Sequence, residues 1–171
     1  KDIIKRESEL GRPTDNINVE SGLGASGIPH IGSLGDAVRA YGIKLSLEDQ
    51  GYQCNLITYS DDMDGLRKVP EEFPKSLNDE ICKPVSSIVD PFECHNSYGE
   101  HMSSLLLDGL EKLNIEYEFQ SASKVYKKGI LNKQIIKILS RSKKIGEKIS
   151  EITGQTKFKN TLPYYPICKN C

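Results

Sequence analysis

Residues 19–33 read VESGLGASGIPHIGS, a glycine-rich run between a strand-like segment and a helix-like one. Upstream, Ile17, Asn18, Val19 and Glu20 alternate apolar and polar, as a short strand does. Gly22, Gly24 and Gly27 are expected to allow left-handed backbone and to leave no Cβ in the way of a ligand. Pro29 suits a first helical turn, where its missing N–H is not needed. The pattern therefore predicts a helix N-terminus whose free amides face an anion. His30 and Ser33 stand three apart on that turn and can both point at a bound phosphate. No lysine follows the glycines, and the run is read as neither the G-x-x-x-x-G-K-[ST] loop nor the G-x-G-x-x-G fingerprint.

The rest of the chain supplies the partners of a βαβ unit. A charged leading helix is expected over residues 2–10. A helix from His30 to about Gln50 carries Leu34, Val38, Tyr41, Leu45 and Leu47, and Gly51 ends it. Residues 54–59, CNLITY, read as a buried parallel strand. Residues 66–89 hold Pro70, Pro74 and Pro84 without a sustained period and read mainly as loop. A second helix is expected over 97–113 and a third strand over 115–119. One amphipathic helix is expected over 134–153, with Ile135, Ile138, Leu139, Ile145, Ile149 and Ile152 on one side. The fold class is α/β, a parallel sheet with the glycine loop at its ligand-binding edge.

The 171 residues suffice for one domain with a core. A net charge of −1 gives no overall attraction to nucleic acid. No apolar run reaches the ~20 residues of a membrane span, and residue 1 opens no signal peptide. Five cysteines without secretory context suggest thiols or metal ligands and a cytoplasmic location. The start without Met and the stop at Cys171 read as a fragment.

Three further groups carry chemistry. Asp61, Asp62 and Asp64 follow the second strand, where α/β sheets place ligands; carboxylates there suit an ammonium, and a solvated acidic turn is the bland alternative. Asp90, Cys94, His95 and His101 put four potential ligands in twelve residues of DPFECHNSYGEH, in a chain with three His. One Asp, one Cys and two His complete tetrahedral zinc with no open position; the alternative is a helix-start loop with both His exposed. Cys168 and Cys171 form one C-x-x-C, half of a zinc ribbon or a redox pair.

The segment S-G-x-x-x-S-G-x-x-H-I-G over 21–32 resembles the HIGH signature of class I aminoacyl-tRNA synthetases. DDMDGLRK over 61–68 resembles the lysyl members of that class. The likeness covers about residues 19–171, and Ser33 replaces the second His of HIGH, as in the lysyl subgroup. It implies a Rossmann-type, nucleotidylyl-transferase-like (HUP) sheet, its first half over 1–160, with a zinc-binding insertion around 66–101 and a truncated ribbon starting at 161–171. It implies activation of lysine by ATP with Mg2+ and transfer to tRNA(Lys). By resemblance, Ser26, Gly27, His30, Gly32 and Ser33 contact ATP, with His30 and Ser33 in the catalytic role. Gly22 and Gly24 approach the lysine, and Asp62 and Asp64 are the candidates to face its ammonium. Asp90, Cys94, His95 and His101 correspond to a zinc site, and Cys168 and Cys171 to half a ribbon. No K-M-S-K-S-like run occurs, so the chain alone is expected to be inactive as a ligase. Other class I synthetases, a pantothenate-synthetase-like ligase and a zinc-stabilised interaction module are the alternative readings.

Overall fold

A computed structural model describes residues 1–168. The chain forms two compact units, residues 1–124 and residues 125–171. In the first, α1 (Asp2–Glu9) leads to β1 (Asn16–Leu23), α2 (Ile31–Glu48), β2 (Gln53–Ser60), α3 (Tyr98–Lys112) and β3 (Glu118–Ser121). The three strands are parallel in the order β1-β2-β3. Leu23 pairs with Ser60 and Ser60 with Ser121, so all three strands end at one edge of the sheet. That edge carries the glycine loop and the acidic turn.

Helices α2 and α3 share one core with the sheet. Ala37 and Ala40 of α2, Leu56 of β2, Leu110 of α3 and Ile115 form a buried cluster, flanked by Val19, Leu34, Leu107 and Tyr117. The strand β2 is not buried throughout, as its apolar centre suggested. Cys54, Leu56, Thr58 and Ser60 point inward, and the alternate residues are less covered. Within this unit the opposite face is polar near the strand starts, where Asn55 Nδ2 donates to Asn16 Oδ1 (3.3 Å) and Asn18 Oδ1 (3.2 Å).

Two expected boundaries move. The third strand starts at Glu118 rather than 115, because Asn114 takes a left-handed conformation (φ 54°) and Ile115 N donates back to Leu110 O at 3.0 Å. Ile115 thereby joins the helical core instead of the strand. The segment between β2 and α3, read as loop, holds two short 3-10 helices, Lys75–Glu80 and Val85–Ser87, each preceded by a proline. Its Leu66, Leu77, Val85 and Ile88 form a second core with Tyr98 and Met102 of α3, and Ala25 of the glycine loop is part of it.

In the second unit, α5 (Asn132–Leu139), α6 (Ser142–Thr153) and α7 (Lys157–Asn160) follow α4 (Ala122–Lys127), which crosses the unit boundary. The single helix expected over 134–153 is broken. Ser140 Oγ donates back to Lys137 O (3.0 Å), and Arg141 leaves helical geometry at φ −128°, ψ 20°. Gly154, at φ 74°, closes α6. No described helix is long and apolar enough to cross a membrane.

Tyr117 Oη donates to Glu111 Oε1 at 3.0 Å, and burial, that bond and the charges of Glu111 and Asp108 push the phenol up to about 12. The folded state thus favours the protonated phenol. Its contribution is complete below the ordinary tyrosine value of about 10 and is lost as pH rises from there. Tyr117→Phe is expected to flatten the alkaline limb of melting temperature against pH. An identical alkaline loss in the variant would exclude Tyr117 as its cause.

Candidate active site and metal centre

His30 is the N-cap of α2. Its backbone is extended (φ −136°, ψ 179°) and its Nδ1 accepts from Gly32 N at 3.0 Å. The helix therefore begins at Ile31, and Pro29 precedes the cap rather than opening the first turn as expected. Because Nδ1 accepts, the neutral ring carries its proton on Nε2, which is left to donate to a ligand. A Cβ at residue 32 would stand 2.7 Å from His30 Cε1 and 2.9 Å from Nδ1, so glycine is what lets the ring fold back. Ser33 lies half-buried on the first turn, and Ser26 and Gly27 lie half-buried in the loop before it.

Gly22, Gly24 and Gly27 depart from the conformational expectation, since none of them has positive φ. Gly22 belongs to β1, opposite Tyr59. A Cβ on any of the three would meet nothing within 4 Å, so their common property is open space in front of the backbone. Their spacing does fit G-x-G-x-x-G, a match that reading the loop for a lysine alone passes over. In the dinucleotide fingerprint the third glycine serves close helix–strand packing; here α2 starts four residues beyond Gly27.

The acidic turn separates into three environments. Asp62 is 7% exposed, and its carboxylate accepts from Ser121 Oγ (2.6 Å), Ser123 Oγ (2.7 Å) and Ser123 N (2.7 Å). Its carbonyl accepts from Ser86 N at 2.9 Å. Asp64 is on the surface, with Oδ2 3.3 Å from Arg67 Nη2. Asp61 N donates to Leu23 O at 2.8 Å, joining the turn to the end of β1. Burial first, then the charges of Asp64, Glu20 and Asp62, push the Asp61 carboxyl above its ordinary value. Glu20 was not singled out in the sequence, because its nearness to Asp61 arises from strand pairing across some forty residues. Ser121 and Ser123 were missed as well, although a Ser at a strand-to-helix junction is an N-cap signal.

The metal-type residues converge. Oxygen, sulfur and ring-nitrogen atoms of Asp90, Cys94, His95 and His101 all lie within 4.8 Å of one another. Cys94 Sγ is 3.2 Å from His95 Nδ1 and 3.3 Å from His101 Nδ1, and His101 Nδ1 is 3.1 Å from Asp90 Oδ1. A tetrahedron with bonds of ~2.0–2.3 Å has edges of roughly 3.3–3.8 Å, so a small expansion admits a four-coordinate ion. Glu93 takes φ 58° and turns the chain between Asp90 and Cys94. Burial raises the Asp90 carboxyl, but the N–H of Phe92, the His101 ring and the N–H groups of His95 and Cys94 outweigh it and hold it well below the ordinary carboxylate value. Burial and the neighbouring Asp90 push the Cys94 thiol up; a bound cation would have to displace that proton. An aromatic series joins this cluster to the insertion core, with Phe92 against His101 (4.8 Å between centroids) and Phe73 (5.1 Å), and Phe73 against Tyr98 (5.8 Å). Cys168 is exposed, and Cys171 lies outside the described residues.

Asp62→Ala leaves the Ser121 and Ser123 donors without their acceptor. A loss of about 1–3 kcal/mol is expected in urea unfolding of the chain. An unchanged midpoint would show that the carboxylate contributes nothing to the junction of β2, β3 and α4.

The profile of the family described as tRNA synthetases class I (K) matches residues 1–171. A lysine–tRNA ligase of Cenarchaeum symbiosum (strain A) is 62% identical over 170 residues, which cover 99% of this chain and 32% of that protein. The lysine–tRNA ligase of Rickettsia bellii (strain OSU 85-389) is 36% identical over 152 residues, 87% of this chain and 29% of that protein. That of Archaeoglobus fulgidus is 30% identical over 164 residues, 96% and 33%. The chain thus spans about a third of the length of the curated relatives it matches. With the match running over the whole sequence, the chain belongs to the family of class I tRNA synthetases (K).

Proposed function

We propose that this chain carries the ATP- and lysine-binding loop of a lysine–tRNA ligase. The observation that supports the reading best is the His30-capped helix at the strand-end edge, with open glycine backbone before it and carboxylates beside it. The relatives named as lysine–tRNA ligases supply the substrate. A lysine carboxylate oxygen attacks the α-phosphorus of ATP, and the bond to the bridging oxygen breaks as pyrophosphate leaves. The 2′-hydroxyl of the last adenosine of tRNA(Lys) then attacks the lysyl carbonyl and AMP departs. No covalent enzyme intermediate is needed; positioning and donors to developing charge carry the first step. His30, through Nε2–H, and the Ser33 hydroxyl are the donors to phosphate, and the amides around Ser26 and Gly27 line the same anion, while the Gly32 amide holds the His30 ring through Nδ1. Gly22 and Gly24 leave room for the amino acid. Asp62 is engaged in the fold, so Asp61 and Glu20 supply the negative field for a cationic substrate more directly than Asp62 or Asp64. Mg2+ accompanies ATP as charge neutraliser.

Zinc on Asp90, Cys94, His95 and His101 is the companion proposal, supported by the convergence of four donors, the number that completes a closed tetrahedral site. Its role is structural: it closes the loop that leads into α3 and steadies the insertion core on which Ala25 rests. Cys168 and Cys171 are proposed to hold metal only together with a second cysteine pair.

Two measurements test these readings. Replacing the matching third of the Cenarchaeum symbiosum lysine–tRNA ligase by this chain should preserve lysine-dependent ATP–pyrophosphate exchange, and His30→Ala in that chimera should lose on the order of 10²–10³ in rate. A folded chimera without exchange, or with exchange indifferent to His30→Ala, would overturn the assignment. Metal analysis of the 171-residue chain should give about one zinc per molecule, lost in Cys94→Ser together with part of the thermal stability. If Cys94→Ser retains both its zinc and its melting temperature, those four residues are not the site.

A further inference from the structure

A total charge near zero conceals a division of sign. Residues 1–124 hold 12 Lys and Arg against 22 Asp and Glu, whereas residues 125–171 hold 11 Lys and Arg against 2 Glu. The first unit therefore carries −10 and the second +9. The ten described basic side chains of the second unit are all exposed. Among the described residues of this unit, Lys148 pairs with Glu151, at 2.7 Å.

Lys137, Arg141, Lys144 and Lys148 follow at intervals of four, three and four, and the break between α5 and α6 does not scatter them. All four line one groove of about 710 Å³, whose apolar wall is Ile138, Ile145, Ile149 and Ile152. The groove has charge complementarity to an anion, and two occupants match it: an acidic amphipathic helix or a nucleic-acid backbone. The wider pattern favours the second. An acidic helix would neutralise only the groove rim, yet exposed Lys127, Lys128, Lys133 and Lys143 continue the positive field beyond it. Lys157 Nζ lies 5.3 Å from the Phe158 ring centre and 5.5 Å from that of Tyr165, which is 61% exposed. A cation between an exposed Tyr165 ring and a half-buried Phe158 ring suits bases and phosphates.

We propose that residues 125–168 form an RNA-binding surface, with the sugar–phosphate backbone running along Lys137, Arg141, Lys144 and Lys148. Naming the polyanion as RNA rests on the ligase reading; the charge pattern does not. Four phosphate contacts imply a slope of log K against log salt of about −3.6, at about 0.9 per duplex phosphate. The affinity should then fall roughly 10²-fold between about 50 and 200 mM KCl.

The test uses the whole 171-residue chain, a fluorescein-labelled RNA hairpin, and neither lysine nor ATP. Failure of lysine activation and failure of RNA binding are therefore separate results. The variant K137Q/R141Q/K144Q/K148Q should lose at least tenfold in affinity at low salt, and its slope should shrink by about 3 or more. The control K75Q/K112Q, in the acidic unit, should change neither. If the quadruple variant loses its helical circular dichroism, the four single variants replace it, each expected to reduce the slope by about 0.9. Unaltered affinity and slope in the folded variants would overturn the proposal. So would an acidic amphipathic peptide that binds the chain more tightly than the hairpin and displaces it, which would mark a protein interface instead.

Discussion

The carboxylate of Asp62 is the fixed point of the first unit. It lies two residues beyond Ser60, the last β2 residue paired with β3, and it takes three donors from Ser121 and Ser123 where β3 passes into α4. Its own carbonyl receives Ser86 from the insertion. One residue thus ties together the end of β2, the end of β3, the start of α4 and the polypeptide inserted between β2 and α3. The packing around it is tight: a Cβ on Gly99, in the first turn of α3, would stand 3.3 Å from Asp62 Cβ and 3.0 Å from Val85 Cγ2. An aspartate so enclosed fixes a turn whose neighbour, Asp61, is then held at the strand-end edge with its carboxyl raised by burial and by nearby charge.

The insertion extends that rigidity to the glycine loop. Ala25 has no exposure and packs among Leu66, Leu77, Val85, Ile88, Tyr98 and Met102. The loop between β1 and α2 is therefore braced from outside the βαβ unit, by residues that also lean through Phe73 and Phe92 on the Asp90–Cys94–His95–His101 cluster. Loops that hold phosphates work by preorganised donors. Here the brace is an irregular segment with a buried core and a hydrogen-bonded Asp90–Cys94–His95–His101 cluster of its own.

Much of this was readable in the chain. Strand, glycine run, H-I-G and helix are local patterns, and local patterns survive folding; so is the dense ligand set over 90–101, because a loop of twelve residues can hardly keep its donors apart. What escaped was non-local or cumulative. The core of residues 66–88 has no period, since 3-10 turns and proline-led bends bury Leu66, Leu77, Val85 and Ile88 one at a time. The role of Asp62 depends on serines some sixty residues away. The break before α6 turns on the Ser140 hydroxyl bonding back to Lys137 O, which an isoleucine repeat does not report. The three loop glycines looked conformational because glycine often is, whereas here the backbone is ordinary and only the space is special.

The opposed charges of the two units also govern how the molecules meet one another. A sequence pI near 6.4 describes a sum, not a surface. At low ionic strength, where the Debye length reaches tens of ångströms, the basic unit of one molecule attracts the acidic unit of the next. Such a polypeptide has the charge pattern of a zwitterion on the scale of a domain, with the two signs separated along the chain instead of mixed. Its colloidal behaviour follows the dipole along the sequence, while its titration curve follows the total.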